Sequence, residues 1–397
     1  MNNMPEIAKS NDSCCGCGAC VNICPVDAIT MKDDKYGFHY PCVNVDLCIN
    51  CKKCERVCDF VKTEKVGVTP IKAYAAVHKS SSILAKSSSG GVFSALAEYA
   101  LSKKGAVCGC VLDESLNALH ICVEEEKDLI SMRKSKYLQS EIGFVYREIK
   151  ERLEQKQFVF FTGTPCQVAA LKSFLAPGEY DNLLTMDLIC HGVPSQQMFN
   201  KYLEYLENKY KTKIVGFDFR SKRYGWQRSS TEFTDHMKKT KNLGKISEFY
   251  IPAFTGGNIV RPSCFSCKYA CRQRVGDITA GDFWGQEKSH LSLDVKKGLS
   301  LCMINTPKAQ SLLPELHQRL HLEEVDYNVA ASGNYCLNAP TLRGQKWEEY
   351  MKAFENDRIP QIAKRYKKSH RKTILRSRLR QYVPINMFHF IRKIKYR

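Results

Sequence analysis

The chain has no long apolar run and no apolar amino-terminal segment. No stretch of its 397 residues approaches the roughly 18 apolar residues that a membrane-spanning helix needs. The first residues, MNNMPEIAKSND, lack the basic start and the apolar core of a secretory signal peptide. These absences argue against an integral membrane protein and against a secreted one. We therefore expect a cytoplasmic protein.

Acidic residues are absent from Arg358 to Arg397, a stretch that holds fourteen Lys or Arg residues. The whole chain has a net charge of +19, so the other 357 residues carry only about +5. The strongly basic charge is therefore a property of the tail. No recognition-helix or base-stacking motif accompanies it, and we expect no nucleic-acid partner.

The last part of this tail, from Ile385 to Ile394, mixes apolar and basic residues at a nearly helical spacing. Such a segment is suited to peripheral contact with an anionic membrane or with an acidic partner. A solvated basic helix packed on its own domain explains the same pattern. Both interpretations stay open on the sequence alone.

Cysteine, in contrast, is abundant, and eight of the 20 cysteines form two runs of the same spacing, C-x2-C-x2-C-x3-C. Bacterial ferredoxins use this spacing to bind 4Fe–4S clusters, because each iron of a cluster takes one thiolate. The fourth cysteine of each run is expected to bind the other cluster. One cluster is then assigned to Cys14, Cys17, Cys20 and Cys58, and the other to Cys48, Cys51, Cys54 and Cys24.

Zinc and disulfide bonds are the alternatives for so many cysteines. Structural zinc sites use CxxC pairs with a longer gap, and no histidine lies within either run. A disulfide scaffold is typical of short secreted chains. Two runs in register therefore favour iron–sulfur clusters and a protein that transfers electrons. Cys15 and Cys42 fall outside the pattern and are interpreted as spare thiols.

The composition divides the chain into four parts. We expect a two-cluster ferredoxin-type domain at 1–66, two parts of a catalytic region at 70–150 and 151–340, and a basic helical tail at 341–397. A hairpin is predicted between the cysteine runs, turning at Asp33–Gly37. From residue 71 the pattern predicts strands at 71–78, 105–113, 158–162, 182–190, 214–220, 277–285 and 299–306. Helices are predicted within 87–104 and at 141–157, 164–175 and 195–210. The expected fold class is a small ferredoxin-like α+β domain followed by a larger α/β domain with a mixed sheet.

Cysteines in the larger domain suggest a third metal site. Cys264, Cys267 and Cys271 form C-x2-C-x3-C, which is incomplete on its own. Cys166 in GTPCQ and Cys190 in ICHGVPS follow predicted strands, where α/β sheets present functional loops. A lone cysteine after a strand is also often inert core. That inert role is assigned to Cys108, Cys110, Cys122, Cys302 and Cys336.

Two turns between a strand and a helix are suited to a phosphate group. In residues 87–91 (SSSGG) the serines can cap the following helix, and the glycines let the backbone approach a phosphate at its positive end. Thr162–Thr164 is a similar turn. A simple capped turn is the commoner explanation of either pattern.

Six segments, in order within residues 10–320, resemble the family of coenzyme F(420) hydrogenase/dehydrogenase beta subunits. They are SSGGVFSALAEYAL, SKYLQS, FTGTPCQVAALKSFL, DLICHGVPS, CFSCKY with RVGDITAGDFWG, and KKGLSLCMINT. The chain is similar to bacterial members that carry an amino-terminal two-cluster ferredoxin domain. The resemblance implies FAD and a further 4Fe–4S cluster in the catalytic region.

The resemblance also implies site residues. It assigns the third cluster to Cys166, Cys190, Cys264 and Cys267. Cys271 departs from the family's pattern and is kept as an alternative ligand. It assigns the flavin to Ser89, Gly90, Gly91, Lys136, Tyr137, Gln139, Thr162, Gly163, Thr164 and Asp277, and less strongly to Thr279, Gly298 and Ser300. A surface cation explains Lys136 equally, and a turn cap explains Asp277. His191 is a weak candidate for a catalytic proton donor, and a structural loop histidine is the simpler interpretation.

The expected function is that of an iron–sulfur flavoprotein oxidoreductase, because a flavin collects single electrons and delivers them in pairs. Electrons would pass between a ferredoxin or another redox subunit, three clusters, FAD and a small organic substrate or coenzyme, in either direction. The substrate, F(420)-like or other, is not identified. The alternatives are a non-catalytic electron-transfer subunit that serves a partner enzyme and a zinc-binding interaction protein.

Overall fold

The computed structural model describes Ile7 and residues 13–58, 67–178, 180–381 and 383. The predicted amphipathic segment from Ile385 to Ile394 lies outside these residues. In the described part no helix is both long and apolar enough to cross a membrane.

The amino-terminal part contains the predicted hairpin between two short helices. Strands β1 (Ile29–Asp33) and β2 (His39–Val43) pair antiparallel. Asp34 closes the turn, because its Oδ1 accepts the backbone N–H groups of Tyr36 and Phe38, both at 2.9 Å. The helices α1 (Ala19–Ile23) and α2 (Lys53–Val57) each contain the third cysteine of a run and pack against each other.

The larger part is built on a mixed sheet, as predicted. The sheet has eight strands in the order β13-β3-β12-β11-β7-β6-β4-β5. Strands β4, β6, β7 and β11 are parallel, and the other four pair antiparallel at its two sides. The strands are β3 (Lys72–His78), β4 (Ala106–Leu112), β5 (Ala118–Val123), β6 (Val159–Gly163), β7 (Leu183–Leu188), β11 (Ile278–Asp282), β12 (Ser300–Ile304) and β13 (Leu320–Val325). Strands from 70–150 and from 151–340 therefore share one sheet.

Helices cover both faces of this sheet, because its central strands are apolar on both faces. Phe160 and Phe161, neighbours in β6, are both buried and belong to different cores on opposite faces. The helices of this part are α3 (Ser81–Lys86), α4 (Val92–Ser102), α5 (Leu129–Met132), α6 (Val145–Glu154), α7 (Pro165–Leu175), α10 (Pro307–Ser311), α11 (Leu313–Arg319) and α12 (Tyr327–Ser332).

A second, three-stranded antiparallel sheet lies in the segment after β7, in the order β10-β9-β8. An aromatic core packs around it, in which Tyr202 stacks on Tyr250 with ring centroids 4.8 Å apart. The sequence predicted only the first of these strands. The elements are β8 (Ile214–Ser221), β9 (Ser230–Asp235), β10 (Thr240–Gly244), α8 (Gln196–Tyr210) and α9 (Tyr250–Thr255).

The tail is helical over its described part, in α13 (Trp347–Glu355), α14 (Ile359–Ser369) and α15 (Arg371–Gln381). Tyr366 of α14 donates a 2.9 Å hydrogen bond to the carbonyl of Ile246, and its ring is buried in the aromatic core. The first part of the tail thus packs on its own domain. Leu375 and Leu379 of α15 are exposed.

Two cysteines that were assigned an inert core role are joined to each other. Cys108 and Cys122 lie directly opposite in the β4–β5 ladder and form a disulfide bond. Strand β5 is absent from the sequence-based assignment, so the register that pairs these residues could not be inferred.

Candidate functional site

The first cysteine run forms a loop that docks on the larger domain. Tyr146 of α6 donates hydrogen bonds from its hydroxyl to the carbonyls of Cys17 (3.0 Å) and Gln167 (3.1 Å). The Gln139 amide nitrogen donates to the carbonyls of Cys15 (3.0 Å) and Gly16 (3.2 Å). The loop is therefore held through its backbone, which leaves the cysteine side chains available to bind a cluster.

Arg261 is the central residue of this junction. It is completely buried, and its guanidinium donates to the carbonyl of Cys14 (2.7 Å), to Oε1 of Gln139 (3.0 Å) and to the carbonyl of His39 (2.8 Å). The ring of Tyr40 lies 4.3 Å from the guanidinium carbon. Because Arg261 comes just before Cys264, it joins the ferredoxin-type domain to the loop that carries the predicted third-cluster cysteines.

The cysteines of the two runs lie near one another in the amino-terminal part. Burial raises the pKa of Cys20, and the neighbouring charges of Cys17, Cys14 and Cys58 raise it further. Cys58 is thus close to the first run, although it ends the second. One small core contains Cys20 and Cys24 of the first run together with Cys54 of the second, and Cys48 packs against it.

The four cysteines predicted to bind a third cluster also come together. Burial raises the pKa of Cys264 to about 12 and that of Cys267 to about 11, and neighbouring thiols, Cys166 among them, add to both shifts. Burial also raises the pKa of Cys190, and Cys264 and Cys166 are the next causes. Thiolates in such a site are unfavourable until cations balance their charge, which iron ions would do.

Across residues 13–58, 67–178 and 180–381, no group of three or more His, Cys, Asp or Glu side chains is arranged to hold one ion. A cubane cluster binds each thiolate to a different iron, so its ligands stand farther apart than those of one ion. The thiol of Cys271 donates to the carbonyls of Lys268 and Gln273.

Cys15, interpreted from the sequence as a spare thiol, lies between two of these groups. Its thiol hydrogen-bonds to Cys166 and to Cys17, and these bonds are the main causes that raise its own pKa. The bond from Cys15 is the largest cause that lowers the pKa of Cys166 to about 7. The first-run loop therefore contacts the third group of cysteines directly.

A large cavity of about 640 Å³ opens at the carboxyl ends of the parallel strands. Ligands of open α/β sheets bind at this edge. Cys190 of the third cysteine group lies in its wall. Seven of the ten main flavin candidates also line it, together with Ser300: Ser89, Gly91, Lys136, Tyr137, Thr162, Gly163 and Thr164.

The other three main flavin candidates are engaged elsewhere. Gly90 is packed so tightly that a Cβ atom would overlap the carbonyl of Ala76 and the backbone nitrogen of Ser300. Gln139 belongs to the junction described above. Asp277 is buried, and its Oδ2 accepts the backbone N–H (2.8 Å) and the hydroxyl (2.6 Å) of Thr185.

The weaker candidates are placed in the same region. Thr279 is buried and accepts a hydrogen bond from Nε of Arg274 at 3.2 Å. Gly298 has a φ of +145° and approaches the backbone of Ser89 closely. Ser300 accepts the backbone N–H of Gly90 at 2.8 Å. The contacts of Gly298 and Ser300 hold the SSSGG loop against the start of β12.

The walls of the cavity are positively charged. Within the described residues it is lined by five Lys or Arg side chains and by the single carboxylate of Asp282. Lys136 donates to the carbonyls of Ser131, Met132 and Arg133, and burial lowers its pKa to about 8. Tyr137 stacks on Phe254 with ring centroids 5.0 Å apart. The cavity thus offers aromatic walls and an excess of cationic groups, which suits an aromatic, anionic ligand such as FAD.

His191 lies in the cavity wall beside Cys190. Its Nε2 is 2.8 Å from the carbonyl of Thr255 and its Nδ1 is 2.8 Å from the hydroxyl of Tyr335. Burial lowers its pKa, which favours the neutral ring. Both ring nitrogens therefore have protein partners, and a proton donor role for His191 stays a prediction.

Sequence reasoning missed several residues of this site, chiefly Arg261, Cys15, Arg220 and Trp284. Arg220 lines the cavity from β8 of the second sheet, and Trp284 lines it from the turn after β11. None of them belongs to a recognisable spacing pattern. Two signals were present: Arg261 stands three residues before the CxxC pair, and Trp284 lies in the segment RVGDITAGDFWG that carries the family resemblance.

Comparison with known proteins identifies the amino-terminal part first. A family described as 4Fe-4S dicluster domain matches residues 13–60. With its two cysteine runs, docked on an α/β domain with a large cavity, the chain belongs to the class of iron–sulfur electron-transfer proteins. Two further families, described as the amino-terminal and the carboxyl-terminal parts of the coenzyme F(420) hydrogenase/dehydrogenase beta subunit, match residues 73–145 and 157–329. The chain is therefore a member of the family of coenzyme F(420) hydrogenase/dehydrogenase beta subunits.

Curated relatives are distant. The chain is 26% identical over 201 residues to the F subunit of the F(420)H(2) dehydrogenase of Methanosarcina mazei, covering 47% of this chain and 56% of that protein. It is 24% identical over 329 residues to the coenzyme F(420)-dependent sulfite reductase of Methanocaldococcus jannaschii, covering 79% of this chain and 48% of that protein. The chain thus spans about half the length of these relatives.

A solved structure of the F(420)-reducing NiFe hydrogenase complex from Methanosarcina barkeri contains a similar chain. The similarity has a TM-score of 0.46 and 16% identity, and it covers 68% of this chain and 90% of that one.

Proposed function

We propose that this chain passes electrons between a one-electron protein partner and a small organic substrate, using FAD in the large cavity and a third 4Fe–4S cluster on Cys166, Cys190, Cys264 and Cys267. One observation carries the proposal. Cys190 belongs both to the group of buried cysteines and to the wall of the cavity. A cluster bound there would lie against whatever occupies the cavity.

The order of the clusters follows from the junction. The loop of the first run contacts Cys166 through Cys15 and is held by Arg261. The loop of the second run faces solvent instead, with Ile49 62% exposed and Leu47 52% exposed. In our proposal the Cys14, Cys17, Cys20 and Cys58 cluster is therefore the inner one. The cluster on the second run is the outer one, which exchanges electrons with the protein partner.

FAD, when bound, exchanges single electrons for electron pairs. The chain contributes a shaped and charged cavity. Tyr137 and Phe254 provide an apolar wall that excludes water from one side. The cationic lining stabilises negative charge on the ligand, because Coulomb interactions are strong where water is excluded.

The proposal predicts that electrons enter through the outer cluster. Anaerobically purified protein is expected to be brown, to hold about twelve irons, four per cluster, and to bind FAD. Reduced ferredoxin should bleach the flavin absorbance in the wild type. Cys48→Ser should slow this bleaching strongly, whereas Cys42→Ser, which changes a thiol outside the cluster pattern, should not. Equal rates in the wild type and in Cys48→Ser would contradict the proposed path.

A second candidate is a protein that delivers electrons to a partner enzyme without turning over a substrate itself. The observation in its favour is that one relative is named as one subunit of a dehydrogenase. Turnover of a small-molecule acceptor by the isolated chain separates the two candidates. Flavin reduction without any turnover, over a panel of acceptors, favours the delivery role.

A further inference from the structure

Arg220 is a buried arginine whose hydrogen bonds are only partly satisfied. It lies near the end of β8 in the cavity wall and is 6% exposed. Its Nη1 pairs with the carboxylate of Asp282. Its Nε and Nη2 are buried and have no hydrogen-bond partner among the described residues. Unsatisfied buried donors on a charged group are unfavourable, and each needs an explanation.

The guanidinium of Arg220 is also held in a fixed orientation. The ring of Trp284 lies 5.5 Å from its central carbon, and Trp284 stacks on Trp226 at 5.1 Å. Trp226 in turn donates a 2.9 Å hydrogen bond to Asp282. Asp282 and the two tryptophans therefore orient Arg220 before any ligand arrives, which lowers the entropic cost of binding.

The surroundings favour an anion with more than one charge. Asp282 pairs with Arg220 and Asp218 pairs with Lys134, while Arg133, Lys136 and Lys245 add further cationic groups to the cavity wall. Residues 229–231, two serines and a threonine, add hydroxyl groups to the same wall. A planar guanidinium with two unpaired nitrogens, Nε and Nη2, can donate hydrogen bonds to two oxygen atoms of a phosphate.

We propose that Arg220 anchors an anion-binding subsite of the cavity, which takes the phosphate or diphosphate group of a bound ligand. The inference rests on the proposed function in one respect, namely that this cavity is the cofactor and substrate site. The phosphate group has two possible sources, the flavin nucleotide itself or a phosphorylated substrate.

The experiment measures ligand affinity in the full-length, anaerobically purified protein after removal of any flavin. Calorimetry with inorganic pyrophosphate, and titrations with FAD, FMN and riboflavin, are compared for the wild type and Arg220→Met. Arg220→Met leaves Asp282 unpaired, so the double variant Arg220→Met with Asp282→Asn removes both charges together. Arg220→Lys keeps the charge but loses the planar fork. Arg223→Met is the matched control, because it removes a half-exposed arginine of the same segment that pairs with Glu232.

We expect pyrophosphate to bind roughly ten- to a hundredfold more weakly to the double variant, as for the loss of a charge-assisted hydrogen bond. Arg220→Lys should lose less, and Arg223→Met should match the wild type. If FAD and FMN weaken while riboflavin does not, the source of the phosphate is the flavin. If pyrophosphate weakens while all three flavins bind as before, the source is another ligand.

Unchanged affinity for pyrophosphate and for every flavin in double variants that keep their iron content and melting temperature would overturn the subsite. The proposed function fails separately. A wild type that binds pyrophosphate through Arg220 but no flavin supports the anion subsite and contradicts the assignment of FAD to the cavity.

Discussion

Replacing Arg261 by methionine is predicted to loosen the ferredoxin-type domain from the cavity domain. Three hydrogen bonds from the buried guanidinium to Cys14, Gln139 and His39 are lost together. A hydrogen bond to a charged group contributes about 1.5–3 kcal/mol, but removing a buried charge also recovers part of its desolvation cost. We therefore expect the free energy of opening at this junction to fall by about 3 kcal/mol rather than by the sum of the three bonds.

Hydrogen exchange measures this quantity locally and does not require the whole chain to unfold in one step. A loss of about 3 kcal/mol corresponds to roughly hundredfold faster exchange of the amides between Cys14 and Ala19. Arg261→Lys keeps the charge but not the planar fork, so we expect an intermediate rate. Under the proposed electron path, flavin reduction by reduced ferredoxin should slow in the same order, since both variants disturb the contact between the first-run loop and Cys166.

Arg343→Met is the matched control for this experiment. Arg343 is half-exposed, stacks on Trp347 at 4.2 Å and pairs with Glu348 at 2.7 Å, so it makes similar kinds of contact in solvent. Exposed pairs contribute under about 1 kcal/mol, and the amides from Cys14 to Ala19 should exchange as in the wild type. If Arg261→Met retained its iron and showed unchanged exchange in this loop, the reasoning about the junction would be wrong.

Three further predictions address the third cluster, the pH dependence and the SSSGG loop. Cys190→Ser is expected to lower the iron content from about twelve to about eight per chain, and Cys42→Ser to leave it unchanged, as iron analysis would show. Burial lowers the pKa of His120 from 6.5 to about 4. Between these two pH values the unfolded chain binds more protons than the folded one, so the free energy of unfolding falls as the pH drops from 6.5 to 4. In His120→Gln this fall, measured by urea unfolding at both pH values, should be smaller by about 3 kcal/mol. Gly90→Ala should lower the free energy of unfolding by more than about 2 kcal/mol in the same assay, because the new Cβ meets backbone atoms. Gly143→Ala is the control: its Cβ lies in open space, so only the strain of a positive φ, about 1 kcal/mol, should be lost.

Local sequence patterns were sufficient to predict most strands of the central sheet and to recognise the two cysteine runs. The strand at 158–162 and the helix at 164–175 are present as β6 and α7, because an apolar run and a capped turn define them locally. Strands β9 and β13 were not predicted. Strand β13 (LHLEEV) is half polar because it forms one edge of the sheet. Strand β9 (STEFTD) is rich in polar residues, and only its partners make it a strand.

The site divides in a similar way. The spacing within each cysteine run is local, so both runs could be recognised from the sequence. Arg261 could not, because it acts on Cys14 across 247 residues of sequence. The role of Arg220 depends likewise on Asp282 and Trp284, which lie at the end of β11 and just after it. Contacts of this kind depend on the order and register of strands, which residue patterns do not encode.

The position of β3 in the sheet has a consequence for how the protein matures during synthesis. Strand β3 is the first strand of the larger part, yet both of its neighbours, β12 and β13, come from the far end of that part. Domains fold as units, the amino-terminal one first. The ferredoxin-type domain can therefore fold and receive iron early on the ribosome. The cavity wall that includes Ser300 is complete only after β12 has emerged. We therefore expect the clusters of the ferredoxin-type domain to be assembled before the cavity has formed.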